Sequence, residues 1–465
     1  MTDTLNIPAP SPSDLAALPA GAIRRGDSGY EERRQDLAWN GREFGRHPDL
    51  IIAAQSEDDV VAAVALARAR GLPISARGSG HSYSGVFLRQ GGILLDLSGL
   101  QQIEIDAEAR QAWVQPGATG GILTRRLAEV GLAFPTGHSD AVALGGFLLG
   151  GGLGINCAAW GGMSVFNVAA VDLVTADGRR LRASPSENAD LYWAARGGGP
   201  GLFFIVTRFL LRCHPLPRVI TGNTYLLPFS DLPRIARLLE AVCPTVDRRL
   251  QVMLAIAAAP PDLASALTGT DHGRIVALNT IAFAATAEEA RALQEPFARH
   301  PDLADILHRS EDQPTTIEGI YRQGDTMLVS SRYRTDNILT DDIDAAVAVL
   351  MAHLPQAPSA ATLPLAIWRG DLSFPDAAYS AKGRYFLSTY AQWNDGQDDD
   401  ANRRWLQRLY DDLAPIATGA YVNEFDIEAR FAEISRCYSP DSWQRLRDLR
   451  RRHDPDGIFC DVYRG

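Results

Sequence analysis

The run Ile74-Ser75-Ala76-Arg77-Gly78-Ser79-Gly80-His81-Ser82-Tyr83-Ser84-Gly85 narrows the choice of fold more than any other part of this sequence. An apolar strand opens it at Ile74, and a helical pattern from Ser56 to Arg70 comes before it. Ser56 suits the helix cap, Glu57, Asp58 and Asp59 suit the positive end of the dipole, and Gly71-Leu72-Pro73 is a stop. Past the strand, Gly78, Gly80 and Gly85 let the backbone bend tightly and bring its N–H groups close to an anion. Arg77 adds a fixed positive charge with a planar fork of donors. The loop therefore suits a phosphate or pyrophosphate. His81 is the odd member, because a phosphate cradle has no need of an imidazole.

A second glycine cluster, Gly145-Gly146-Phe147-Leu148-Leu149-Gly150-Gly151-Gly152-Leu153-Gly154, is closed by Trp160-Gly161-Gly162. It is not the dinucleotide fingerprint, since Cys157 stands where the third glycine would be counted from Gly152, and no Gly-Lys-Ser/Thr makes it a Walker loop.

The 465 residues allow about two to four domains. A hydrophobic share of 46% and a charged share of 22% are those of an ordinary globular chain. The net charge of −11 argues against a nucleic-acid partner or an anionic membrane surface. No apolar run reaches the roughly 18–20 residues that span a bilayer. The first residues lack the charged and apolar regions of a secretion signal. Cys157, Cys213, Cys243, Cys437 and Cys460 form no C-x-x-C, so no metal site is expected. They read as inert thiols in a reducing cytoplasm.

Residues 1–20 read as a loose arm, and Tyr30 to Ile51 as the approach to an entry strand. Strands are expected at Ile74–Ala76, Ile93–Leu97, Gln102–Ile105, Gln111–Gln115, Asn167–Thr175 and Leu202–Cys213, with a hairpin turn at Asp177-Gly178. Helices are expected at Ile122–Val130 and Leu191–Arg196, and His214-Pro215-Leu216-Pro217 marks a domain boundary. Beyond it, strands at Val219–Leu227, Leu250–Ala258, Arg274–Ala284 and Arg384–Ala391 mix with helices at Leu232–Val242, Ala287–Phe297, Asp341–His353 and Asn402–Leu413. This is an α+β pattern, an antiparallel sheet covered by helices. A basic helix, Trp443–Arg452, precedes the turn Asp454-Pro455-Asp456-Gly457.

RGSGHSYSG (77–85), GGILLDLS (91–98), PTG (135–137), GGFLLGGGLG (145–154), LVTADG (173–178), DLYWAARGGGPG (190–201), YVNEFD (421–426) and HDPDGIF (453–459) occur in one order. In that order they resemble the berberine-bridge-enzyme-like FAD-linked oxidases of the vanillyl-alcohol-oxidase superfamily. The resemblance covers nearly the whole chain. It implies a two-subdomain FAD-binding domain over residues 21–215, a substrate domain over 216–417, and a return to the FAD-binding domain over 418–465. It implies FAD bonded covalently through His81. Many relatives carry a second tether, a cysteine just before the Pro-Thr turn; Phe134 stands there, so a single bond is expected.

The cofactor-binding residues so implied are Arg77, Gly78, Ser79, Gly80, His81, Ser82, Gly85, Thr136, Gly137, Gly145, Gly146, Gly150, Gly151, Gly152, Gly154, Val206, Tyr421 and Asn423. Phe204 departs from the family pattern, which often has glycine there. Glu424 stands where many relatives have a tyrosine, and a desolvated carboxylate is a competent general base. Tyr390 is the second catalytic candidate. Trp368, Arg369, Tyr385, Gln392 and Trp393 are further pocket candidates, and on the strand Tyr390, Gln392 and Asn394 alternate with Ala391 and Trp393.

The activity implied is hydride transfer from a C–H beside a hydroxyl, in an alcohol, a sugar or a secondary metabolite, to FAD, with dioxygen as acceptor and hydrogen peroxide as product. The partners are then a small molecule and dioxygen. Amine oxidation of the 6-hydroxynicotine oxidase type and a non-catalytic flavin-binding module are the alternatives.

Overall fold

The computed structural model describes residues 21–461; the expected arm at 1–20 lies outside them. Three sheets carry the fold. The first orders Ile23–Arg24, Leu50–Ala53, Ile93–Asp96 and Ile74–Arg77, its last three strands parallel. Helix Glu57–Arg70 packs on it through Val60, Ala63, Val64 and Ala67. Ser56 and Asp59 form a reciprocal cap at its start, and Gly71 ends it with a left-handed φ of 61°. The second sheet is antiparallel, ordered Ile103–Asp106, Gln111–Val114, Phe204–Arg212, Val168–Thr175 and Arg180–Ala183.

The third sheet has eight strands in the order His308–Pro314, Val219–Pro228, Arg274–Ala284, Leu250–Ala258, Leu363–Trp368, Tyr385–Trp393, Arg332–Thr340 and Ala417–Gly419. Every neighbouring pair is antiparallel. Helices Leu232–Val242, Ala287–Ala298, Ile343–His353 and Asp399–Leu413 share one core with one of its faces. The period of two sorts strand Tyr385–Trp393: Tyr385, Leu387, Ala391 and Trp393 enter that core, while Phe386 and Tyr390 reach the cavity on the other side.

After helix Pro440–His453 the chain comes back to the first sheet, where Ile74 N–H donates to Ile458 O (2.7 Å) and Cys460 N–H donates to Ile74 O (2.9 Å).

Several elements were not foreseen. Helix Tyr30–Asp36 replaces the expected approach to a strand; it has no side-chain cap and is held from outside by Tyr30 O–H on Pro48 O (2.5 Å). The structure also has helix Ile317–Asp325 and strands His308–Pro314, Arg332–Thr340 and Leu363–Trp368 beyond those expected from sequence. Strand Arg332–Thr340 carries Arg, Thr, Asp and Asn yet is almost wholly buried, because its polar side chains grip the segment after residue 420.

Candidate active site

A cavity of ≈ 710 Å³ lies between the third sheet and the other two. Its floor at one end is the loop that follows strand Ile74–Arg77. The backbone N–H groups of Gly78, Ser79, Gly80, His81 and Ser82 have no acceptor among the described residues, and all five residues line the cavity. Consecutive free donors of this kind form an anion nest. Gly80 is required there: its φ is +78°, and a Cβ would strike Leu37 O.

The five backbone N–H groups are open to an anion, whereas Arg77, also expected from sequence to bind the cofactor, is partly engaged with protein. Arg77 touches the cavity, but its Nη1 donates to Asp96 (2.7 Å) and its Nε to Leu37 O (2.8 Å). Arg33 bonds the other oxygen of Asp96 (2.7 Å), so the charge of Arg77 anchors the loop against a buried carboxylate.

His81 is half-buried, with Nδ1 3.0 Å from Ser79 Oγ, which also accepts from Ala143 N–H (2.8 Å). Trp39 stacks on its ring at 5.1 Å. Burial above all pushes the imidazole down to about 4, so the ring is neutral at pH 7.

Gly137, Gly145, Gly146 and Val206 also line the cavity, as do Tyr421 and Asn423. A Cβ on Gly146 would meet no protein atom within 4 Å and would stand in the cavity. The nest and this open glycine fit the pyrophosphate and body of FAD.

The other glycines do not face it. A Cβ on Gly150 would collide with Asn423, on Gly151 with Tyr379, on Gly152 with Phe147 and Ser164, and on Gly154 with Pro135 O. These residues are glycine so that the loop can pack against protein. Gly85 is closed off by the Phe44 ring, and Thr136 is fully buried with its hydroxyl on Tyr321 OH (2.5 Å). Phe134 is a buried core residue.

Elsewhere on the wall of this cavity, the 3-10 turn Val422–Glu424 holds Glu424. Its Oε2 accepts from Ser388 Oγ (2.8 Å) and from Tyr390 OH (2.8 Å). Its Oε1 has no partner among the described residues. Desolvation raises the carboxyl above its usual range, and the two bonds offset this only in part. Tyr83 packs edge-on against Tyr390 at 5.6 Å, and burial and then the Glu424 charge hold both phenols well above their usual range.

Strand Arg332–Thr340 positions the turn. Asn337 accepts from Tyr421 N–H (2.7 Å) and donates to Tyr421 O (2.9 Å), and Thr335 Oγ1 donates to Glu424 O (2.9 Å). Tyr421 OH accepts from Leu153 N–H (3.2 Å) and Asn423 Nδ2 (2.9 Å), tying the second glycine cluster to this turn.

Of the aromatic and polar candidates on the third sheet, only Tyr390 reaches this cavity. Trp368 and Arg369 line a separate cavity of ≈ 230 Å³. Tyr385 and Trp393 belong to the helix-side core. Gln392 is fully buried and grips Met327 O (3.0 Å) and Val329 N–H (3.0 Å).

Trp39, Tyr83, Tyr333 and Ser388 went unnoticed as site residues. Two had a signal: Tyr83 lies two residues past His81 in the same motif, and Ser388 precedes Tyr390 by the strand period.

Residues 48–184 match the model of the FAD binding domain. The FAD-linked oxidoreductase janO of Penicillium janthinellum is 30% identical over 431 residues, covering 90% of this chain and 93% of that protein. The solved 6-hydroxy-D-nicotine oxidase of Arthrobacter nicotinovorans superposes with a TM-score of 0.81 at 22% identity, covering 95% of this chain and 96% of that one. The berberine bridge enzyme of Eschscholzia californica does so at 0.78 and 19% identity, with 95% of each chain covered. The chain thus belongs to the family of FAD-linked oxidoreductases and has the fold of the berberine bridge enzymes.

Proposed function

We propose that this enzyme oxidises a carbon that bears a hydroxyl group, with dioxygen as the electron acceptor and FAD bonded to His81 alone. The observation that carries this reading is Glu424: a desolvated carboxylate on the cavity wall with one oxygen held by Ser388 and Tyr390 and the other free.

Bound FAD would supply the hydride acceptor and the reactivity with dioxygen that gives hydrogen peroxide. The rest is work for the chain. The N–H groups of Gly78 to Ser82 hold the pyrophosphate. The neutral His81 ring, braced by Ser79 and Trp39, would carry the covalent bond to FAD. Tyr421 and Asn423 hold the loop from Phe147 to Leu153 beside the cavity, where it would meet the flavin. Glu424 takes the hydroxyl proton on Oε1, while Ser388 and Tyr390 keep the carboxylate oriented. Tyr390 and Tyr83 stay protonated and act as donors.

In this reading residues 21–215 and 418–465 form the FAD-binding domain and residues 216–417 the substrate domain. No helix among the described residues is long and apolar enough to cross a membrane. All five cysteines are free thiols, which supports a reducing, cytoplasmic setting.

The test has two parts. Acid precipitation should bring the yellow pigment down with the protein, and pigment left in the supernatant would remove His81 as the anchor. A screen of alcohols and amines for peroxide release should find turnover among the alcohols; amine turnover alone would replace the hydroxyl reading.

A further inference from the structure

The substrate half of the cavity says what kind of molecule enters. The third sheet offers Met253, Ile281, Leu365 and Phe386, and the stretch from helix Ile317–Asp325 to strand Arg332–Thr340 covers it with Ile320 and Leu328. Close contact seals this cover: a Cβ on Gly324 would lie 2.7 Å from His138 O.

Charge is sparse there. Among the described lining residues this half has only Asp325 and Glu424, both acidic. Arg77, the one arginine on the entire lining, is taken by Asp96. A carboxylate or phosphate on the substrate would meet no cation.

Hydrogen-bonding groups are few and already engaged. Gln251 accepts from Asn156 N–H through Oε1 (3.1 Å) and reaches His138 Nε2 through Nε2 (3.2 Å). Tyr333 O–H donates to Ser330 O, and Tyr390 O–H to Glu424. Gln323 lines the cavity from an exposed position. A sugar would bring several hydroxyls to a wall with hardly any partner for them, and each unpaired buried polar group opposes binding.

We propose that the substrate is a molecule with a hydrocarbon body and a single hydroxyl turned toward Glu424, and not a sugar or an acid. This rests on the alcohol-oxidation reading of the same site.

The holoenzyme is mixed without oxygen with an apolar cyclic alcohol, a hexose and a secondary amine, and both flavin bleaching and the ligand-induced shift of the flavin spectrum are followed. The apolar alcohol should bleach the flavin at least a hundredfold more efficiently than the hexose. Faster bleaching by the hexose or the amine would overturn the proposal. If none bleaches, the spectral shift decides: a shift with the apolar alcohol alone sinks the alcohol-oxidation reading but supports the substrate class, and a shift with the hexose or amine alone, or with none of the three, sinks the class. In Leu328→Asn the KM for the apolar alcohol should rise roughly tenfold, and an unchanged KM would contradict the proposed wall.

Discussion

Replacing Glu424 by glutamine tests the proton-transfer step most directly. Ser388 and Tyr390 both donate to Oε2. A glutamine carbonyl oxygen can accept both bonds, leaving the amide nitrogen where the free Oε1 was. The turn is held through its backbone by Thr335 and Asn337, so the side chain should keep its place. What is lost is the base. A positioned general base contributes typically 10²–10⁴-fold, so anaerobic flavin bleaching should slow by about that factor, with pigment content unchanged. The pH dependence gives a second reading. The folded pKa of Glu424 is raised, so the wild-type rate should climb with pH through that value and level off above it. The variant should lack this limb. Stability has a definite sign as well. A carboxyl with a raised folded pKa binds its proton more tightly in the folded state, so its contribution is present at low pH and lost as pH rises through the folded pKa. Glu424→Gln should therefore gain on the wild type in melting temperature toward alkaline pH. A bleaching rate within threefold of the wild type, or a persisting pH limb, would remove Glu424 as the base.

His81→Ala should leave all pigment in the supernatant after acid precipitation while circular dichroism keeps the native spectrum. Gly146→Leu should fold, because a Cβ there meets no protein atom within 4 Å and the side chain would extend into the cavity, but should purify without pigment; Gly150→Ala should instead lose thermal stability through its collision with Asn423. Asn337→Ala leaves the Tyr421 N–H and C=O without their partners, at a cost of about 2–4 kcal/mol, read as a lower melting temperature.

Local pattern was enough for elements whose signals lie within a few residues of each other. The cap at Ser56 and the stop at Gly71 bound helix Glu57–Arg70, and strands Leu250–Ala258 and Arg274–Ala284 emerge with the limits their apolar runs suggest. The order of eight motifs pointed to the family, and the glycines of the Gly78–Ser82 loop pointed to the row of free backbone N–H groups found there.

Tertiary structure decided which groups are free to act. Arg77 stands in the sequence as a free phosphate-binding cation, but in the fold Asp96, brought alongside by the parallel pairing of two strands, pairs with it. Gly150, Gly151, Gly152 and Gly154 are cofactor-binding candidates by resemblance, but in the fold Asn423 and Tyr379 from distant parts of the chain, and Ser164 from nearby, fill the space beside them. The polar strand Arg332–Thr340 carries no apolar alternation, because its side chains are satisfied by the segment around Tyr421 rather than by water. Glu424 was visible as a departure from the family pattern, but its environment was not. A carboxylate's strength as a base depends on desolvation and on Ser388 and Tyr390, and both come from a strand that meets it only in the folded chain.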